Sequence, residues 1–206
     1  IKYYKAKVSY NKNNYYIFPS IHSVHSLISS KQIQKFREAN ILVIGKKAKQ
    51  ALIDIGCKKI IFTAVDSDTL VKKISKSQFK KNNYVYLCSN IINEDLLKKI
   101  DKYQINFEKK IIYKTTSVKK LRKKLINDLK LRNIMGATFL SKLAAETFLS
   151  LLSRYKCLNI VKDINIYCIS DRVALPFRDN LFTSIFIARQ PNEAAIIKII
   201  KKKHIL

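Results

Sequence analysis

Two similar α/β domains, each a parallel sheet with helices on its faces, are what this sequence predicts. Three observations support this. The chain repeats itself, each copy alternates short apolar runs with amphipathic stretches, and a small residue ends each apolar run. The repeat is read by setting NILVIGKKAKQALIDIGCKKIIFTAVDSDTLVKKI, from Asn40, against NIYCISDRVALPFRDNLFTSIFIARQPNEAAIIKII, from Asn165. No gap is needed at this spacing of 125 residues (40 to 165). Ile44 falls on Ile169, Gly45 on Ser170, Asp54 on Asp179, Ile60 on Ile185 and Ile74 on Ile199. Upstream, YYIFPSIHSVHSLI (15–28) matches ATFLSKLAAETFLSLL (137–152), with Ser20 opposite Ser141.

The elements follow in order. A first apolar run ends at Ser20, or at Ser141 in the second copy, and an amphipathic helix follows. A second run, 41–44 or 166–169, ends in a small residue, Gly45 or Ser170. The next helix sets Ala48, Ala51, Leu52 and Ile55 at helical spacing. A third run covers 60–64 or 184–188. Ser67 or Asn192 then caps a last helix, and Pro191 suits a position just before a helix start. Between the copies, 84–87 reads as a strand, Ser89-Asn90 as its loop and 93–102 as a helix. A strand at 111–113 comes next. Ser117 is expected to open a helix with Val118, Leu121, Leu125 and Leu129 on one face. The boundary is placed near 113–117, giving domains of 1–112 and 113–206.

Composition narrows the function. The chain has 206 residues, of which 48% are hydrophobic, so it holds a real core. No apolar run reaches the roughly 18 residues of a membrane span. The first 14 residues are polar and aromatic, with no signal-peptide pattern. The chain opens on Ile1 rather than Met, so a partial sequence is expected. Lys and Arg number 41 against 14 Asp and Glu, a net charge of +27. That excess is spread over the whole chain, and Gly and Pro are scarce at 3 each, as in proteins written by an AT-rich genome. The charge favours anionic ligands. No helix-turn-helix, aromatic RNA-binding run or zinc spacing accompanies it, so no nucleic-acid partner is expected. Cys57, Cys88, Cys157 and Cys168 form no CxxC pair and read as reduced, buried thiols in a cytoplasmic protein.

The chemistry belongs at the turns. In open α/β sheets, ligands bind beyond the carboxyl ends of the strands. Free N–H groups and the helix dipole at a helix start suit carboxylate or phosphate. That edge carries Ser20, Ile21 and His22, then Gly45 and Lys46, Ser89 and Asn90, Ser141 and Lys142, and Ile169 to Arg172 through Ser170. Turns of two domains facing each other would line one cleft for a large polyanion. The plainer reading is that each Ser caps its helix. Lys46, Lys142 and Arg172 add cations that pair with carboxylates when not simply solvated. His22 and His25, three apart, share a helix face without a third metal ligand. GxSxG, GxGxxG and P-loop motifs are absent from the sequence, and no carboxylate pair stands out. An enzyme built this way holds its substrate in shape and supplies backbone donors.

In combination, IFPSIHSVHSL (17–27), ILVIGKKAKQAL (41–52), YVYLCSN (84–90), IIYKTT (111–116), ATFLSKLAAETFL (137–149), YCISDRVA (167–174) and IARQPNEAAIIKII (187–200) resemble uroporphyrinogen-III synthase, in order and spacing, from about Tyr15 onward. The resemblance implies two flavodoxin-like domains joined by a two-stranded linker. It also implies a cyclising lyase acting on hydroxymethylbilane, a linear tetrapyrrole with eight carboxylates. The terminal hydroxyl is lost and the ring closes with inversion of ring D, giving uroporphyrinogen III for heme biosynthesis. No metal or organic cofactor is implied, and a cytoplasmic monomer is expected. The family's recurrent candidate for direct chemistry is the Tyr of the IIYKTT motif, Tyr113, as proton donor to the departing hydroxyl. Motif matching puts Ser141 and Ser170, and Ser20 and Gly45, on substrate-facing turns.

Two departures accompany the resemblance. The family opens with a further strand–helix unit bearing a TRP-like motif, so the second domain is expected to lack its N-terminal unit here. Residues 1–10 then read as the end of that unit plus a linker strand paired with 111–116. Pro176 falls where the helix after Ser170 runs and must sit in its first turn or kink it. Two alternatives remain: a degenerate, inactive homologue, and a basic nucleic-acid-binding protein motivated by charge alone.

Overall fold

The computed structural model describes residues 1–4, 7–92, 94–180 and 182–204. It divides into two compact units, Ile1–Thr116 and Ser117–Leu206. The first holds strands β1 (Lys2–Tyr3), β2 (Asn14–Phe18), β3 (Asn40–Ile44), β4 (Ile60–Ala64), β5 (Asn83–Ser89) and β6 (Phe107–Lys114). Its helices are α1 (Ile21–Ser29), α2 (Lys46–Asp54), α3 (Ser67–Ile74), the single turn α4 (Ser77–Lys80) and α5 (Glu94–Lys102). The second unit holds β7 (Gly136–Phe139), β8 (Asn165–Cys168) and β9 (Ile185–Ile187), with α6 (Lys123–Lys130), α7 (Lys142–Arg154), α8 (Asp171–Asp179) and α9 (Glu193–His204).

In the first unit the sheet order is β1-β6-β5-β2-β3-β4. All neighbours run parallel except β1, which pairs antiparallel with β6, so the sheet is mixed rather than wholly parallel. Alternation along the strands splits the core into two layers. Tyr16, Phe18, Ile41 and Val43 face one side with Val24, Leu27 and Leu52. Ile17, Leu42, Tyr84 and Tyr86 face the other with Leu70, Leu96 and Ile100. The chain leaves β2 for β3 and β4 on one side, then returns to β5 on β2's other side. A topological switch point therefore lies at the carboxyl ends of β2 and β5.

The second unit is a parallel sheet ordered β7-β8-β9. Ile166 and Cys168 face a core containing Leu149, Leu152, Ala174 and Phe177, while Tyr167 faces Ile196 of α9. The duplication is exact in its second helix. Both ends of α2 reappear in α8, displaced by the same 125 residues (46 to 171, 54 to 179).

Several local expectations need correction. Residues 117–122 are not helical, and α6 begins only at Lys123. Five cations (Lys119, Lys120, Arg122, Lys123 and Lys124) crowd the expected N-terminal turns, where the helix dipole opposes positive charge. Arg154 also donates to the Lys119 carbonyl and Thr147 to the Ser117 hydroxyl, tying the segment down in non-helical form. Val118 is left exposed, while Leu121, Leu125 and Leu129 still reach the core. Helix α3 is capped by Asp66, whose carboxylate accepts the Thr69 N–H at 2.7 Å, so Ser67 is its first residue and not its cap. Asn192 does cap α9, accepting the Ala195 N–H at 2.9 Å. Pro176 lies in the interior of α8, past the first turn, and its ring is buried. Asn93, where the helix before residue 102 was expected to start, lies outside the described residues.

Candidate active site

Tyr113 owes its position to a backbone irregularity. In regular pairing, consecutive strand residues point to opposite faces. Between β5 and β6 the register shifts, so Cys88 pairs with Ile111 and Ser89 with Tyr113. Ile112 is the extra residue of this bulge, and Ile112 and Tyr113 both reach the layer that contains α1. The Ser26 hydroxyl donates to the Ile112 carbonyl and fixes α1 to this point of β6.

Ser20 arrives from the opposite direction. It is the N-cap of α1 in extended conformation, and its hydroxyl accepts the His22 N–H at 3.2 Å. The same hydroxyl lies 3.0 Å from the Tyr113 phenol oxygen. Tyr113 is 7% exposed. Burial raises its pKa above the ordinary phenol value, and the Ser20 hydrogen bond opposes that rise. The phenol thus keeps its hydrogen at neutral pH.

Three residues read only weakly or not at all from sequence complete the cluster. Tyr3 pairs with Tyr113 across β1 and β6. Its hydroxyl lies 3.2 Å from His22 Nδ1 and 3.4 Å from His25 Nδ1. The His22 ring centroid lies 5.9 Å from that of Tyr113 and 6.4 Å from that of Tyr3. Burial, followed by repulsion from His25, lowers the pKa of His22 below the ordinary imidazole value. The i, i+3 spacing of the histidines was visible in the sequence. Their partner Tyr3 is 19 residues from His22 and carries no motif.

The remaining predicted residues fall into two groups, one in each unit. In the first unit Ser20, Ile21, Gly45, Lys46, Ser89 and Tyr113 share the carboxyl edge of one sheet. Gly45 has φ +89° and ψ 144°, a conformation open to glycine, and an added Cβ would meet open space. It provides no side-chain cap, so the first N–H groups of α2 face that edge beside the exposed Lys46. Ser89 is buried at 6%; its hydroxyl accepts the Ile91 N–H and lies 3.3 Å from that of Thr115. Asn90 accepts the Thr115 N–H at 2.8 Å, closing the turn beside Tyr113.

In the second unit, Ser141 caps α7 by accepting the Ala144 N–H at 3.2 Å. Lys142 sits 3.5 Å from Glu146 in an exposed i, i+4 pair, a weak interaction. Ile169 is half-buried against both core layers. Ser170 is the N-cap of α8 but makes no side-chain capping bond. It mirrors Gly45 in leaving the helix start open, with Arg172 in the first turn. Among the described residues there is no group of three or more His, Cys, Asp or Glu that could hold a metal ion. No described helix is long and apolar enough to cross a membrane.

A family model described as uroporphyrinogen-III synthase HemD matches residues 5–198. Among solved structures, the chain is similar to the uroporphyrinogen-III synthetase of Helicobacter pylori, with 19% identity and a TM-score of 0.73. That match covers 98% of this chain and 89% of the other. It is also similar to a mutant uroporphyrinogen III synthase from Thermus thermophilus, at 10% identity and TM-score 0.57, covering 92% and 77%. At these identities the likeness shows a shared fold. No curated protein sequence matches the chain.

Proposed function

This chain belongs to the uroporphyrinogen-III synthase family, and from that membership we propose that the Tyr113–Ser20 pair is where it performs the family's reaction. The activity is that of a cyclising lyase in tetrapyrrole biosynthesis. Hydroxymethylbilane loses its terminal hydroxyl and closes to uroporphyrinogen III. The balance includes the inversion: the terminal C–O bond breaks and one proton joins the departing hydroxyl to make water, a C–C bond forms to ring D, the C–C bond that held ring D to the preceding methylene breaks and re-forms at the ring's other α-carbon, and the C–H proton there is released.

The observation that carries the reading is the buried hydrogen bond between Tyr113 and Ser20 at the switch point. The Ser20 oxygen already accepts the His22 N–H. Either hydroxyl can donate in this pair; with Ser20 donating to the Tyr113 oxygen, the phenol hydrogen is left to aim at the departing hydroxyl. A phenol held above its ordinary pKa works as a hydrogen-bond donor that polarises the C–O bond, rather than as an acid that ionises at rest. Within the first unit, substrate carboxylates are assigned to the open helix start after Gly45, with Lys46 as cation and Ile21 and Ser89 shaping the neighbouring turns. The net charge of +27 favours an eightfold carboxylate as ligand.

The test is Tyr113→Phe, assayed for formation of the type III isomer. The expected result is a fall in kcat of about 10²-fold with little change in KM, the signature of an interaction made only in the transition state. An unchanged kcat would remove Tyr113 from the chemistry.

A further inference from the structure

We propose that His22 is the base that takes up the proton released at ring closure, and that Tyr3 and His25 form the relay returning it to solvent. The proposal rests on the reading of this side-chain cluster as the reacting site. Its starting point is a constraint on hydrogen atoms. Two imidazole Nδ1 atoms lie within hydrogen-bond reach of one phenol oxygen. A phenol has a single hydrogen to donate. With both imidazoles neutral, one Nδ1 accepts from Tyr3 and the other must carry a hydrogen and donate to it. The three groups thus form one polarised chain from half-buried His22 to exposed His25.

The direction of that chain fits a base. With His22 donating from Nδ1 to Tyr3, and Tyr3 donating to His25, the Nε2 of His22 carries the lone pair. A C–H bond of the closing tetrapyrrole breaks, its electron pair stays in the pyrrole ring, and the proton joins Nε2. His22 passes its Nδ1 proton to Tyr3, which passes its own to Nδ1 of His25. His25 leaves the step as an imidazolium at the surface, where water takes the proton. No oxidant or metal enters this balance.

The surroundings favour a neutral His22 at rest. The titratable groups beside it are His25 on its own helix and the phenols of Tyr3 on β1 and Tyr113 on β6. Of the other elements on α1, α2 carries the exposed cations Lys46, Lys47 and Lys49, and the single turn at Ile33–Phe36 carries the exposed Lys35. Among the described residues, no carboxylate from α2, β2, β5 or β6 is among the groups acting on His22 to hold its imidazolium. Burial, followed by repulsion from His25, favours the neutral His22 ring, which leaves a lone pair to accept a proton.

The experiment combines kinetics with titration of the full chain. His22→Gln retains a hydrogen-bonding group toward Tyr3 and cannot accept the proton. It is expected to lower kcat about a hundredfold and to abolish the acidic limb of the kcat/KM profile. Tyr3→Phe and His25→Gln should retain more activity and move that limb. NMR titration of the histidine rings provides a readout independent of turnover. The His22 and His25 signals of the parent should shift together, and Tyr3→Phe should uncouple them. Independent titration in the parent, or a His22→Gln enzyme with full kcat and an intact acidic limb, would overturn the proposal. If Tyr113→Phe is inactive while His22→Gln is unimpaired, only the base assignment falls. If Tyr113→Phe is unimpaired while His22→Gln loses its limb, the Tyr113 reading falls and His22 remains. A parent that forms no type III isomer would sink both.

Discussion

Replacing Ser20 by Ala tests the core of the site without touching any core packing. The side chain serves two partners. Losing its acceptance of the His22 N–H removes the N-cap of α1, about 1 kcal/mol. Losing its bond to the Tyr113 phenol, 3.0 Å away and 7% exposed, leaves a buried hydroxyl without its partner, roughly another 1 kcal/mol or more. Together they come to about 2 kcal/mol, which lowers Tm by roughly 4–8 °C for a chain of this size. Tyr113→Phe should cost about 1 kcal/mol, because Ser20 still caps its helix. In the double variant the shared bond is lost only once, so its cost falls short of the sum by about 1 kcal/mol. Urea unfolding of the four proteins, with matching m values, measures that coupling. Strictly additive costs, with coupling under about 0.3 kcal/mol, would refute a Ser20–Tyr113 bond in the folded protein.

Gly45→Ala should destabilise by about 1–3 kcal/mol although the new methyl meets no atom, because the cost lies in φ +89° alone; an urea midpoint equal to the parent's would contradict that backbone conformation. All four cysteines are buried, so a thiol reagent at pH 8 should find none reactive in the folded chain and four after denaturation. Burial pushes Cys88 and Cys168 up to about 11 against a value of 9.0 for a free thiol. The unfolded thiols therefore ionise first, unfolding releases protons, and stability should fall as pH rises from 9 to 11. A flat urea midpoint over that range would argue against their burial. Asp66→Ala should cost about 1 kcal/mol through the lost cap of α3, while Ser67→Ala should be nearly neutral; the reverse ranking in thermal unfolding would restore Ser67 as the cap.

Much of the fold was legible because it depends on local pattern. The 125-residue repeat located α2 and α8, and β4 has the bounds expected from its apolar run. Small residues at the strand ends marked Ser20, Gly45, Ser141 and Ser170, all of them N-caps. What escaped depends on long-range pairing. The bulge at Ile112 turns Tyr113 toward α1, and alternation alone would point it to the other layer. The pairing of a strand in 1–10 with 111–116 was expected and is seen as β1 on β6, but its consequence was not: it sets Tyr3 against the two histidines of α1. The start of α6 was misplaced because apolar spacing at Val118 and Leu121 outweighed the cation run, whereas in the folded chain Arg154 and Thr147 hold the segment. The cap of α3 moved by one residue because Asp66, like Ser67, is a good N-cap type, and propensity does not separate the two.

The isomer of the product tests the central claim most directly. Hydroxymethylbilane closes unaided to the type I isomer, so the protein is mixed with it, the products are oxidised, and the porphyrins are separated by chromatography. The account predicts type III in excess of the protein-free control, with the excess lost in Tyr113→Phe. Type I alone, at the rate of the control, would contradict it.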